Sequence, residues 1–140
     1  MYFSEAKYYE ALESTFHKKG EIHFLKDKIE INYEDDDTLL TYSNDMLITK
    51  KGNKITTLDL TTKPSVKMFF VLFEAIYFDK KEILQSYFVM KKKGKTIVML
   101  PHKNISHYIE NVQYKKTNEK LDFLQINLSN EDRIRIEEIK

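Results

Sequence analysis

Apolar side chains recur at every second position through much of the first sixty residues. Ile22 and Phe24 alternate with Glu21 and His23, and Ile29, Ile31 and Tyr33 alternate with Lys28, Glu30 and Asn32. Successive side chains of a strand point to opposite faces, so this spacing describes strands with one buried and one wet face, the habit of antiparallel sheets. Polar breaks cut the pattern into short pieces. Glu34–Asp37, Ser43–Asp45 and Gly52–Asn53 hold residue types that tolerate positive φ or bond their own backbone, and they bound expected strands at Thr38–Ser43, Met46–Lys50 and Lys54–Leu60. Tyr2–Leu12 reads as the opening strand, with a loop leading to Gly20.

The period then changes. Val66, Phe69, Phe70, Phe73, Ile76 and Tyr77 fall on one face at helical spacing, Pro64 suits a first helical turn and Thr62 suits its cap, so Pro64–Phe78 is expected to be the principal helix. A second short helix is expected at Lys80–Gln85. Beyond it, Phe88–Lys92 and Lys95–Leu100 read as a hairpin turning at Lys93-Gly94 and stopped by Pro101. After a loop at His102–Ser106, Tyr108–Lys116, Lys120–Leu128 and Arg133–Ile139 read as three more strands. About eleven strands and one main helix predict a mainly β (α+β) fold: a curved antiparallel sheet, an incomplete β-barrel, with a helical lid on its concave face. No linker, low-complexity run or repeat divides the 140 residues, which predicts one domain.

Charge and cysteine content narrow the function. A formal net charge of +1 gives no sequence-wide footprint for nucleic acid or an acidic membrane, and the absence of cysteine excludes a disulfide framework and thiolate chemistry. Met1–Glu10 lacks the basic and apolar regions of a secretory signal, which leaves a cytosolic protein or one whose leader has been removed. The longest apolar stretch, Met68–Phe78, carries Glu74 and is far shorter than the roughly 20 residues that span a bilayer, so no transmembrane segment is expected.

Motifs for chemistry are sparse. His102, His107 and Glu110 fit no zinc spacing, and Asp35, Asp36 and Asp37 lack the spaced ligands and turn glycine of a calcium loop. The run Lys91–Lys95 suits the soluble tip of a hairpin better than a headgroup site. There is no nucleophile elbow, phosphate-cradling loop or dinucleotide fingerprint. Neither an enzyme, a metal nor a cofactor is expected, and Glu30 and Glu74 are the carboxylates an enzymatic alternative would use.

Nine Phe, nine Tyr and five Met remain to be explained. A packed core is the plainer reading of an aromatic stripe. A curled sheet of this many strands nevertheless has more concave surface than one short helix fills, and such architectures commonly enclose a ligand cavity. The expected lining is Ile22, Phe24, Ile29, Ile31 and Tyr33 from the early strands and Leu58 from the end of the meander. The helix adds Phe69, Phe70, Phe73, Ile76 and Tyr77, and the later strands add Ile97, Met99, Ile134 and Ile136.

The order of short motifs resembles a known family. Phe3-x-Glu5-x-Lys7, then Gly20-Glu21-Ile22-His23-Phe24 and Lys28-Ile29-Glu30-Ile31-Asn32-Tyr33, followed by the Pro64–Phe78 helix and Tyr87-Phe88, form the first part of the likeness. Ile97-x-Met99-x-Pro101, Ile109-x-x-Val112-x-Tyr114, Leu124-x-Ile126 and Asp132-x-Ile134-x-Ile136 complete it. Over nearly its whole length the chain is similar to the LolA-like carriers of outer-membrane lipoproteins. The resemblance implies an incomplete barrel closed by helices, working as a monomer in the periplasm. It implies acylated lipoprotein or lipid as cargo, taken from an inner-membrane release complex to an outer-membrane receptor. Where those carriers have an arginine pointing into the site, this chain has Glu30, which is thereby the expected polar residue at the cavity. A lipid- or lipoprotein-sensing module of the same fold, acting through a protein partner, is the alternative function.

Overall fold

The computed structural model describes residues 1–35 and 37–139. The first half of the chain is a meander of six strands: β1 (Tyr2–Tyr9), β2 (Ser14–Phe24), β3 (Ile29–Tyr33), β4 (Thr38–Ser43), β5 (Met46–Lys51) and β6 (Lys54–Asp59). Two helices follow, α1 (Pro64–Tyr77) and α2 (Lys81–Tyr87). A second meander of five strands closes the chain: β7 (Phe88–Lys93), β8 (Thr96–Pro101), β9 (Ile109–Thr117), β10 (Lys120–Leu128) and β11 (Arg133–Glu138). The two meanders join where β1 pairs antiparallel with β11, Phe3 opposite Glu138 and Lys7 opposite Ile134. All eleven strands thus form one sheet, in the order β6-β5-β4-β3-β2-β1-β11-β10-β9-β8-β7. The sheet is not closed into a barrel, and β6 and β7 are its edges. Lys91, Lys92 and Lys93 lie along the β7 edge, where charge disfavours pairing with another chain.

Most element boundaries follow from the alternation, and three details differ from it. The opening strand ends at Tyr9, and Glu10–Leu12, expected to continue it, form a 3-10 turn closed by Glu13 at φ 48°. The strand β2 begins at Ser14, six residues before Gly20, because it pairs with β1 from Tyr9↔Ser14 onward. Ser14–Lys19 is exposed on both faces, so the cross-strand ladder holds it and burial leaves no pattern to read. Helix α1 starts without the expected Thr62 cap. Lys63 occupies the cap position with no side-chain bond, while the Thr62 hydroxyl donates to the Asp59 carbonyl within a 3-10 turn, Leu60–Thr62. Leu60 belongs to that turn and is wholly buried. The acidic turn read at Glu34–Asp37 includes Asp36, which lies outside the described residues.

The far end of α1 is firmly stopped. Asp79 adopts φ 54°, Lys80 N–H donates to the Ala75 carbonyl at 2.8 Å and Asp79 N–H to that of Ile76 at 3.3 Å, the bonding of a Schellman cap with aspartate where glycine is commoner. The ammonium of Lys116 on β9 donates to the Ile76 and Tyr77 carbonyls at 3.1 and 3.0 Å, placing a cation at the negative end of the helix.

Helix α1 buries Met68, Phe69, Phe70, Leu72, Phe73, Ala75 and Ile76, a wider arc than one stripe. The helix is therefore enclosed on more than one side, and one apolar cluster joins it to Phe3, Ile22 and Ile31 on one half of the sheet and Val112, Leu124 and Ile136 on the other. Each large side chain so buried contributes about 1.5–3 kcal/mol relative to exposure.

Candidate functional site

Cross-strand register identifies the face toward α1. Phe3 lies opposite Gly20, Gly20 opposite Tyr33, Ile31 opposite Ile22 and Leu40, and Lys7 opposite Ile134. Residues directly opposite share a face, so Phe3, Glu5 and Lys7 of β1 look the same way as Ile22, Ile31 and Ile134.

The fifteen apolar residues expected to line a cavity fall into three groups. Ile22, Ile29, Ile31, Phe73, Ile76, Met99 and Ile136 are fully buried in the packed centre, and Phe24 and Tyr77 stack beside them with ring centroids 5.1 Å apart. A second group surrounds a cavity of about 190 Å³ between the first turns of α1 and the sheet. Tyr33, Phe69, Phe70 and Ile134 line it together with Leu40, Leu47, Val66 and Leu128, and Lys7 and Ser65 are its polar members. The third group stands apart: Ile97 is half-buried, and Leu58, opposite Leu47 on the edge strand β6, is 37% exposed. Glu30 does not join the cavity. It alternates with Ile29 and Ile31, faces away from α1 and lies 3.9 Å from Lys28.

Packing against the helix shapes the cavity wall. Tyr42 on β4 stacks on Phe70 with centroids 4.7 Å apart and planes within 3°, and burial holds the Tyr42 phenol above its ordinary pKa. Phe69 meets both Phe70 and Phe73 edge-on.

A carboxylate that motif reading did not select lies at this site. Glu5 is 3% exposed, with the Tyr33 hydroxyl 3.3 and 3.4 Å from its two oxygens and the Lys7 ammonium 3.8 Å from Oε1. The phase of β1 is the signal that points to it, since Glu5 shares the inward face with Phe3. Next to it, a shallow trough of about 350 Å³ runs under the β1–β2 hairpin, lined by Tyr9, Leu12 and Phe16 with Glu5, Lys7 and Lys18. Leu12 and Phe16 are 63% and 51% exposed there. Lys7 lines both spaces, so trough and cavity meet at its side chain.

A larger depression, about 560 Å³, lies across β11, β1 and β2, where Glu5 and Lys18 are joined by His17, Lys19, Arg135, Glu34, Asp35 and Glu137. Its mixed charges and open form suit water better than an apolar ligand. Among the described residues no three His, Cys, Asp or Glu side chains are grouped to hold a metal. His102 Nε2 is 3.2 Å from the Gln85 carbonyl, and the His107 ring meets Tyr108 edge-on. No helix among the described residues is long and apolar enough to cross a membrane.

No protein-family model matches the chain, and no curated protein matches its sequence.

Proposed function

We propose that the protein binds acyl chains in the cavity beneath the first turns of α1 and acts as a LolA-like periplasmic carrier, moving acylated lipoproteins or related lipids toward the outer membrane. The observation that carries this reading is the cavity itself, whose wall of Tyr33, Phe69, Phe70, Leu40 and Ile134 is apolar on both the helix and the sheet side. The open eleven-stranded sheet wrapped around a helix supports the family reading, because the resemblance implies that architecture. An inner-membrane release complex and an outer-membrane receptor are the partners this reading requires.

Burying a methylene contributes about 0.8 kcal/mol, so ten give roughly 8 kcal/mol of gross driving force before ordering costs. A volume of about 190 Å³ lies below the ~300–1,000 Å³ usual for small-molecule pockets. A long chain therefore requires α1 to move outward at its first turn, the end that lacks a side-chain cap. The small volume also favours the second reading, a sensor that responds to a short acyl segment and passes the signal to a protein partner; a stable complex with such a partner distinguishes it.

The test is saturable binding of a fluorescent dodecanoyl probe. Wild type is expected to bind it, the half-buried Val66→Glu to lose it with unchanged far-ultraviolet circular dichroism, and Lys92→Ala to retain it. A folded wild-type protein that takes up no probe overturns the reading. Fractionation of cells expressing the natural gene tests the location, recovery from cytosol alone counting against a periplasmic carrier.

A further inference from the structure

We propose that the Lys7 ammonium is the headgroup site of the acyl ligand, so that the ligand is an anionic amphiphile, a carboxylate or phosphate carrying a hydrocarbon chain. This rests on the cavity reading above, which supplies the place for the chain.

The geometry is specific to one side chain. Lys7 is the charged residue among those lining the apolar cavity, and it lines the hairpin trough as well, so it stands where a chain entering from solvent passes under α1. Its side chain is 38% exposed, which leaves the ammonium within reach of a ligand in water. Beneath it lies Glu5, almost fully buried, 3.8 Å from the ammonium. That separation is an ion-pair distance beyond hydrogen-bonding range, and an ammonium has three donors to direct elsewhere. The buried carboxylate therefore holds the cation at the cavity mouth without occupying its donors.

A second cation reinforces the first. Lys18 sits directly opposite Glu5 on β2, with its ammonium 4.8 Å from the centre of the Tyr33 ring, and Tyr33 is itself part of the cavity wall. Glu34 and Asp35 line a depression together with Lys18, so Lys7 is the principal contact and Lys18 the secondary one. An anionic head with a hydrocarbon tail complements the Lys7 ammonium and the apolar wall beside it, and a charge-assisted bond to lysine is stronger than a neutral one. A plain hydrocarbon end leaves the ammonium partly dehydrated with nothing gained in return, and a neutral alcohol offers it an uncharged acceptor, a weaker partner than an anion.

Calorimetric titration with octanoate, octyl phosphate and octanol tests the proposal. Both anions are expected to bind at least about tenfold more tightly than octanol. Lys7→Gln should remove most of that advantage while leaving octanol within about twofold of wild type, and Lys7→Arg should keep it. The double change Lys7→Gln with Glu5→Gln removes the buried charge together with its partner, and guards against loss of folding in the single variant. The relative affinities of octanoate and octyl phosphate identify the carboxylate or the phosphate as the preferred head. Equal binding of octanol and the anions, or a loss of affinity for all three in Lys7→Gln, overturns the headgroup assignment and leaves the acyl cavity standing. Binding of none of the three by folded wild type overturns both.

Discussion

The Tyr33 hydroxyl lies 3.3 and 3.4 Å from the two carboxylate oxygens of Glu5, although the strands that carry them are separated by a third. The contact fastens the cavity wall to the buried carboxylate beneath Lys7. Its length marks a weak bond, so Tyr33→Phe should lower stability by about 0.5–1.5 kcal/mol. Urea denaturation reads this as a lower midpoint with an unchanged slope. An unmoved midpoint would mean that the bond contributes nothing net.

Gly20 makes that reach possible. It lies on β2 between Phe3 and Tyr33, and a Cβ there would meet the Asn32 carbonyl oxygen at 2.5 Å and the Phe3 ring at 3.2 Å. The first contact is with backbone, so β2 and β3 must shift to relieve it. Gly20→Ala should cost about 1–3 kcal/mol, with melting temperature falling by about 2–4 °C per kcal/mol. A variant as stable as wild type would show that the sheet yields there freely.

Strand phase was legible in the sequence wherever one face is buried. Ile29, Ile31 and Tyr33 alternate cleanly because α1 covers one side of β3, and the same phase turns Glu30 outward. Ser14–Lys19 left no such trace, being exposed on both faces. Glu5 was readable as an inward residue from its spacing to Phe3. Its depth was not, because it depends on β1 pairing with β11 at the other end of the chain. Periodicity says which face is apolar but not what stands against it, so core residues such as Ile22 and Met99 could not be told from cavity residues such as Phe69 and Ile134.

Lys67 ties the first turns of α1 to the β4–β5 turn, with its ammonium 2.9 Å from Asp45 Oδ1, and that hydrogen bond raises the Lys67 pKa against the opposing effect of burial. A folded-state pKa above the unfolded value means the contribution is fully present below about pH 10 and is lost as pH rises through the raised value. Burial of Tyr42 acts in the same direction, since its phenol too must stay protonated. Lys67→Met should therefore reduce stability modestly at neutral pH, by about 0.2–1 kcal/mol for so exposed a pair. It should also flatten the alkaline decline without abolishing it. Thermal melts of both proteins between neutral and strongly alkaline pH measure the difference, and parallel curves would exclude the ion pair as a source of the decline.

The cavity volume sets a limit on chain length that affinity should report. The space of about 190 Å³ beneath α1 is small, so it takes the first methylenes of a chain and leaves later ones outside. With the head at Lys7, each methylene that enters the apolar wall contributes about 0.8 kcal/mol, close to a fourfold gain in affinity. Longer chains must displace α1 or lie in the hairpin trough, where Leu12 and Phe16 are still exposed, so each further methylene gains less. Titration of alkanoates from butanoate to dodecanoate should thus show a steep rise that bends before dodecanoate. Lys67→Met, which loosens the first turn of α1, should move the bend to longer chains. A slope constant to twelve carbons would mean that the helix opens freely and that the volume beneath it does not limit the ligand.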